Sequence, residues 1–368
     1  MVKNKILFVL HQSPPLHGAA RVGDVIRASE SIAKVYETRF IKIKGSESVS
    51  QIGRFSSKKI YAGLVLYLKV FWSLLVFRPH KIYFTPSKSG FALYRDVLIS
   101  TLWKIYGLFF SADIYYHYHT KGIDEYVSQS AFSLKLTQFF VKNVTLILMS
   151  RLLQNDFNKV GSYKNCVLLP NGVPDRLSEV EFLKNLNLKY RNEVQLQALY
   201  LSQMTKKKGY GEVLNLARQL KGLNISFHFA GAWDSESDER YFFEYVKKYK
   251  LEQNLTYHGF VSGKKKQSLF NKAHVLLYPS KDDAFPLTIL EALSFGIPVL
   301  ATAEGAIPSM LNEKTGIIIH DINKFSDSME IIESKFINKT TAKACRSRYK
   351  NFFSLEVFDD NLIKILKE

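Results

Sequence analysis

Short apolar runs alternate along this chain with longer segments in which apolar positions recur every three or four residues. The runs have strand length and the longer segments have helical period. In the first 170 residues, strands are expected over Lys5–Leu10, Tyr36–Ile43, Lys81–Thr85, Ile114–His119, Leu146–Met149 and Cys166–Leu169. Helices are expected between them over Arg21–Lys34, Ile60–Phe77, Leu93–Phe109, Leu134–Asn143 and Leu152–Val160. Pro170-Asn171-Gly172, followed by Pro174, is turn chemistry and marks a hinge. Residues 175–195 are polar and open a second domain. The alternation then resumes, with strands at Gln197–Leu201, Ser226–Ala230, Leu255–His258, Val275–Tyr278, Pro298–Thr302 and Gly316–Ile319. Helices fall at Tyr210–Leu220, Arg240–Tyr249, Lys264–Asn271 and Leu287–Phe295, and 327–368 is mostly helical. This order predicts two doubly wound α/β domains in tandem, each a parallel sheet with helices on both faces. Ligands of such domains sit at the carboxyl ends of strands, and two facing domains would put the main site in the cleft between them.

Charge changes this picture unevenly. The chain carries 51 Lys+Arg against 33 Asp+Glu, a net of +18. Residues 1–170 hold 23 of the basic and 9 of the acidic groups, while the remainder is near balance at 28 against 24. Such asymmetry points to a polyanionic surface beside the first domain, either nucleic acid or an anionic membrane. Apolar content of 46% excludes wholesale disorder. Two cysteines, Cys166 and Cys345, cannot form a disulfide framework, fit a reducing compartment and are expected to be inert. The apolar run at the start is too short for a signal-peptide core. Tyr61–Phe77 has Lys69 in its middle, and 92–110 contains Arg95, Asp96 and Lys104. A span needs roughly 20 apolar residues, and a central Lys costs about 3 kcal/mol. Both segments are therefore expected as amphipathic or core helices, one of which could lie at a membrane surface with Lys and Trp at its edge.

The richest chemistry lies in Tyr278–Pro298, YPSKDDAFPLTILEALSFGIP. A buried strand ends in a Pro/Ser turn and two carboxylates, and Phe285-Pro286 leads into a helix. Asp283 sits before that helix and Glu291 about one turn inside it. Both can face a ligand at the strand's end. The helix start offers backbone N–H donors to a phosphate, and a carboxylate there can accept from sugar hydroxyls. The plainer alternative makes Asp283 an N-terminal cap and Glu291 a solvated helix residue.

This stretch resembles the E-x7-E element of the retaining nucleotide-sugar glycosyltransferases of family 4, which have the GT-B fold. Pro279-Ser280, Phe285-Pro286-Leu287, Leu290-Glu291-Ala292 and Gly296-Ile297-Pro298-Val299 match, with Asp283 in place of the first Glu and Ala284 in place of the following Gly. The resemblance implies that Asp283 contacts hydroxyls of the donor sugar and that Glu291 holds the nucleotide ribose. Leu201–Gly209 (LSQMTKKKG) resembles the family's Gly-Arg-Leu-x-x-x-Lys-Gly element, whose Arg and Lys bind the diphosphate. Lys208 matches, and Gln203 stands at the Arg position; Lys206 and Lys207 are the neighbouring cations, but an ammonium is no guanidinium fork. Leu168–Val173, Phe227–Gly231, Thr256–Val261 and Ala303–Pro308 resemble further elements in the family's order. In the first domain, His11–Ala19 resembles the family's first loop, which brings Gly18 near a phosphate or sugar. Ile114–Gly122 resembles the strand end that carries a His beside the reaction centre, implying His119, with His117 as the alternate. Two residues apart on a strand, both point to one face.

The resemblance implies a GT-B protein with an acceptor-binding domain over 1–172, completed by a helix crossing back within 349–368, and a nucleotide-sugar-binding domain over 173–348. The expected catalytic groups are His119, Asp283 and Lys208. The donor would be bound by Gly18, Gln203, Phe285, Pro286, Leu287, Thr288 and Glu291. No cofactor or metal is expected: Asp282-Asp283 is not a D-x-D, and no H-x-x-H or C-x-x-C pair is present. Walker and G-x-G-x-x-G motifs are also missing, which disfavours P-loop and nicotinamide enzymes. The expected activity is metal-independent retaining transfer of a sugar to an acceptor hydroxyl, on a lipid-linked glycan of a bacterial surface polysaccharide. The basic first domain, through Lys58, Lys59 and Lys69, would dock on the anionic inner face of the plasma membrane. Other GT-B enzymes, such as a nucleotide-sugar epimerase, and a basic nucleic-acid-binding protein remain as alternatives.

Overall fold

A computed structural model describes residues 3–15, 17–43, 57–191, 195–325 and 327–368, with only the backbone described at Lys58. The chain divides into two compact units, 1–171 with 355–368 and 172–354.

The first unit holds strands β1 (Lys5–His11), β2 (Glu37–Ile43), β3 (Lys81–Phe84), β4 (Asp113–Tyr118), β5 (Thr145–Leu148) and β6 (Asn165–Leu168). All pair in parallel, in the order β2-β1-β3-β4-β5-β6. The pattern of each strand follows its place. Central β1, KILFVLH, is buried through five consecutive residues, as a strand covered on both faces must be. Edge strand β6, NCVL, has no fully buried residue. Helices α3 (Ser57–Phe77), α4 (Gly90–Phe109) and α6 (Ala131–Val141) pack against one face, and α5 (Ile123–Val127) is a short insert. On this face Trp103 is fully buried, 5.1 Å from the ring of Phe84, and its Nε1 donates to the Tyr116 hydroxyl at 3.0 Å. Truncating such a side chain costs about 3–5 kcal/mol.

The opposite face is covered by α1 (Gly18–Ala28), α2 (Glu30–Val35) and α15 (Leu355–Lys367), whose Phe358, Leu362 and Leu366 join Phe8, Val22 and Ile32. The single helix expected over Arg21–Lys34 is two helices. Ser29 leaves helical geometry (ψ 111°), its hydroxyl caps α2 at Ile32 N and donates to Asp359 Oδ2 on α15. The helix expected over Leu152–Val160 is a 3-10 turn, Arg151–Phe157. The return to the first unit starts at Leu355 rather than Tyr349, because Tyr349 is buried in the second unit with its hydroxyl donating to Val173 O.

The second unit runs from α7 (Glu179–Lys189) through β7 (Leu196–Leu201), α8 (Tyr210–Gln219), β8 (Ile225–Ala230), α9 (Glu236–Tyr249) and β9 (Leu255–Tyr257). It continues with α10 (Gly263–Lys272), β10 (Val275–Tyr278), α11 (Leu287–Ser294), β11 (Val299–Thr302), α12 (Ile307–Met310), β12 (Gly316–Ile319), α13 (Ser328–Phe336) and α14 (Lys339–Phe352). Its six parallel strands lie in the order β12-β11-β10-β7-β8-β9. The polar stretch 175–195 is helical over α7 because Ser178 and Glu181 form a reciprocal capping box. Arg346 of α14 is 3% exposed, pairs through both terminal nitrogens with Asp175 and also donates to Ser294 O and Leu177 O. That one side chain ties the start of this unit to the end of α11.

Candidate active site

In the second unit the chain builds outward from β7 through β8 to β9 and then crosses back to β10 on the other side of β7, so the strand order reverses between β7 and β10. Loops diverge at such a point and leave a crevice at the carboxyl edge. The loops after β7 and β10 are drawn together there by glycines. Gly209 has φ +82°, and a Cβ on it would lie 2.2 Å from Pro279 O. Gly305, in the loop after β11, has φ +54°, and its Cβ would lie 2.1 Å from Asp283 O. Only glycine supplies this backbone and this proximity.

Thr205 caps the 3-10 turn Lys206–Lys208 that ends at Gly209. The turn aims Lys208 at the loop after β10, where its Nζ donates to Asp282 O at 2.5 Å and stands 2.8 Å from Asp283 Oδ2. The same Asp283 oxygen accepts from Tyr278 Oη at 2.9 Å and Ser280 Oγ at 2.8 Å. Burial beside this carboxylate pushes the Tyr278 hydroxyl's pKa well up, so it remains a donor. Asp283 is therefore no helix cap. Pro286 occupies the N-cap of α11, and no side chain caps that helix. Its first N–H groups, at Leu287 and Thr288, have no partner four residues back. Phe285 is buried beneath them, its ring 6.3 Å from that of Phe353.

Glu291 lies in the second turn of α11, and both its oxygens accept from Lys266 Nζ of α10, at 2.6 and 2.5 Å. Gln203 does not point at Lys208's partners; its Nε2 donates to Asp234 Oδ1 at 3.0 Å. Lys207 stands 3.9 Å from Asp282, and its exposed side chain supplies no fork. The arrangement gathers two lysines, the two carboxylates they face and a helix start at one strand edge. It can neutralise a diphosphate and accept from hydroxyls on either side of it.

The first unit's strand order reverses between β1 and β3. His11 ends β1, and its backbone N and Nδ1 both meet Thr85 Oγ1, just past β3, at 3.1 and 3.0 Å. Helix α1 approaches closely because Gly23 has no Cβ, which would sit 1.9 Å from His11 O. His17 caps α1 through Ala20 N. Gly18 opens that helix with no atom within 4 Å of a Cβ position, so its backbone faces open space. His117 and His119, at the end of β4, lie with ring centres 4.0 Å apart and planes tilted by 45°. His117 Nδ1 bonds Tyr83 Oη at 2.5 Å, whereas both nitrogens of His119 are covered and have no partner among the described residues. Burial, and then the charge of His17, lowers the pKa of His119 to about 3, so it is neutral at physiological pH. Gln12 Nε2, Ser13 Oγ and Thr120 Oγ1 are likewise covered without partners around this edge.

The expected residues thus fall into two groups. Asp283, Lys208, Gln203, Phe285, Pro286, Leu287, Thr288 and Glu291 share the carboxyl edge of the second sheet, and His119 and Gly18 share that of the first. Sequence reasoning missed Lys266, Tyr278, Ser280, Asp234 and Thr85. Only Tyr278 and Ser280 carried a signal, sitting five and three residues before Asp283. Among the described residues no group of three His, Cys, Asp or Glu side chains is placed to hold a metal ion.

Two parallel six-stranded sheets with helices on their faces, each with its polar groups at the carboxyl edge, are the GT-B glycosyltransferase architecture. Across 99% of this chain and 99% of the other, it superimposes on Anabaena Alr3699/HepE in complex with UDP, with a TM-score of 0.72 at 16% identity. It also superimposes on the apo form of the lipopolysaccharide outer core galactosyltransferase WaaB, over 98% and 99%, with a TM-score of 0.72 at 15% identity. Residues 187–350, within the second unit, match the family described as Glycosyl transferases group 1. A 41.2 kDa protein of the cps region of Klebsiella pneumoniae is 29% identical over 216 residues, 57% of this chain and 55% of that one. The putative colanic acid biosynthesis glycosyltransferase WcaL of Escherichia coli is 24% identical over 187 residues, 47% and 45% of the two chains. The chain spans about half the length of these curated relatives.

Proposed function

We propose that the protein is a retaining, metal-independent glycosyltransferase of family 4, working at the inner face of a bacterial plasma membrane. Its donor is a nucleoside diphosphate sugar and its acceptor a hydroxyl of a lipid-linked glycan in surface polysaccharide synthesis. The observation that carries this reading is the convergence of Lys208, Asp283 and the uncapped start of α11 where the second sheet reverses. The relatives support the setting: one lies in a cps region and another is named for colanic acid biosynthesis. HepE was crystallised with UDP, a nucleotide of the kind this edge would take.

In this reaction the bond between the anomeric carbon and the β-phosphate oxygen breaks. The acceptor oxygen forms the new bond on the same face, and its proton passes to the departing phosphate. Charge grows on that phosphate, and pre-aimed donors there are usually the largest catalytic term. Lys208 and the amides of Leu287 and Thr288 are those donors. To reach the phosphate, Lys208 exchanges its Asp283 partner for the ligand, which frees the Asp283 oxygen for a sugar hydroxyl. Glu291 takes the ribose, and neutral His119 offers a nitrogen to the sugar or acceptor. With the donor bound, Asp283 keeps its Tyr278 and Ser280 partners and Glu291 is assigned to the ribose, so neither carboxylate is aimed as a nucleophile, which favours front-face attack over a covalent intermediate.

The test is a panel of nucleotide sugars screened for thermal stabilisation, since a ligand of the folded state raises the midpoint. Transfer from the best binder to a polyprenyl-linked acceptor follows, with the anomeric configuration read by NMR. Glu291→Gln should abolish most transfer in a folded protein, and Lys208→Ala should depress turnover more than Gln203→Ala. Full activity in Glu291→Gln, or an inverted product, overturns the reading.

A further inference from the structure

The helix layer formed by α3, α4 and α6 is apolar on both sides. Its inner side is core: Leu66, Val70 and Leu74 of α3 are buried against the sheet. An ordinary surface helix turns a polar face to water. Here the outer side exposes eight large hydrophobic residues on α3, six on α4 and two on α6. On α3, Leu64 is 55%, Leu68 54% and Trp72 65% exposed; on α4, Leu108 is 81% and Phe109 76% exposed. Helices α1, α2 and α15, on the other face of the same sheet, expose none. One layer of the unit is therefore built for water and the other is not. An apolar face of this extent marks an interaction site.

Charge selects the occupant. Helix α3 contains no Asp or Glu, and Lys59 and Lys69 accompany its apolar residues. The first 170 residues carry 23 basic against 9 acidic groups. A second copy of this face would set Lys69 and a strongly basic unit against their own likes, whereas an anionic lipid surface complements both. Tyr61, Trp72 and Tyr94 are exposed on the same layer, and such amphipathic rings suit the headgroup boundary. Residues Lys59–Phe77 are long and apolar enough to cross a membrane, yet the inner side of α3 is packed on the sheet, so the helix lies on the surface.

We propose that the outer faces of α3 and α4 insert into the acyl boundary of an anionic bilayer leaflet, holding the first unit by apolar burial as well as charge. This deepens the membrane association proposed above, and its test uses no glycosyl transfer. The full chain is floated with vesicles of phosphatidylcholine containing phosphatidylglycerol, and of phosphatidylcholine alone, at 0.1 and 1 M salt. Salt screens charge but not burial, so affinity for the anionic vesicles should fall by less than about tenfold between the two. Acyl-chain-brominated lipid should quench the fluorescence of Trp72, and the quenching should vanish in Trp72→Phe, since Trp103 is buried and Trp233 belongs to the second unit. Leu68→Glu/Trp72→Glu should bind at least about a hundredfold more weakly while donor-induced stabilisation of the second unit is unchanged. Leu108→Glu/Phe109→Glu, at the exposed end of α4, repeats the test should the first pair fail to fold. Complete release by salt, unchanged binding in a folded variant, or a dimer that these substitutions dissolve without any vesicle binding each overturns the proposal. Vesicle binding with no transfer activity would instead count against the enzymatic reading alone.

Discussion

The histidines at the carboxyl edge of the first sheet make that unit sensitive to mild acid. Burial lowers the pKa of His11 to about 3, with the charges of Arg95, His17 and His119 adding to it. His119 is lowered to about 3 by burial and then by His17, and His117 well below its ordinary value by burial and then by His119. An unfolded chain protonates each near 6.5. Between roughly pH 6.5 and 3, then, the unfolded state binds protons at His11 and His119 that the native state refuses, and His117 acts in the same direction. Stability is complete above 6.5 and falls as the pH falls through that window. At pH 5 His11 and His119 each cost about 2 kcal/mol. That is a large fraction of the whole stability of many domains. Asp96, which burial raises above the usual carboxylate range, works in the opposite sense.

The assay is urea denaturation between pH 7 and 5 at fixed ionic strength, followed by near-ultraviolet circular dichroism. The wild-type free energy should fall as the pH falls through this window, with His17 of the same edge and His228, His258 and His274 of the second unit, all lowered by burial, adding to the slope. His119→Phe isolates one proton. Among the described residues neither nitrogen of His119 has a partner to lose. A constant packing penalty in the variant would shift its stability at every pH without altering the slope. The slope itself should drop by one proton's worth, about 1.4 kcal/mol per pH unit. A wild-type midpoint that stays constant from pH 7 to 5, or an unchanged slope in His119→Phe, refutes the reasoning.

Other consequences are checked by calorimetry. Lys266→Met removes the cation facing both Glu291 oxygens at a mostly covered place, which should cost about 1–3 kcal/mol and lower the second unit's melting midpoint. Lys266→Met/Glu291→Leu should recover most of it, and an undiminished midpoint in the single variant would show the pair to be idle. Gly209→Ala places a Cβ against Pro279 O at a positive φ and should destabilise by about 2 kcal/mol or more. Gly18→Ala, with nothing within 4 Å, should leave stability unaltered and show any effect in the donor KM alone. Ser29→Ala removes the cap of α2 and its bond to Asp359, for a loss of about 1 kcal/mol.

How far each residue was legible in the sequence depended on how local its reasons were. Buried parallel strands such as β1 and β10 announce themselves as unbroken apolar runs, and those two were placed to within a residue. The break at Ser29 and the start of α7 were local as well, but their sign is a single hydroxyl-bearing cap within polar sequence, easily passed over beside a helical period. The pairing of Glu291 with Lys266 had no local sign at all, because 25 residues and a sheet crossover separate the two. The outer face of α3 was misleading for a different reason. Its apolar positions read as core or as an ordinary amphipathic pattern, and a period cannot tell burial against protein from exposure. Side-chain period also left His117 and His119 equivalent, since both belong to one face of β4. Hydrogen bonding separates them: Tyr83, from the neighbouring strand, occupies His117 Nδ1, while among the described residues nothing meets either nitrogen of His119. Two covered nitrogens without partners are costly to keep, and a ligand hydroxyl at this edge would supply the missing bond. Of the two rings, His119 is therefore the one whose hydrogen bonds the described residues leave unmade.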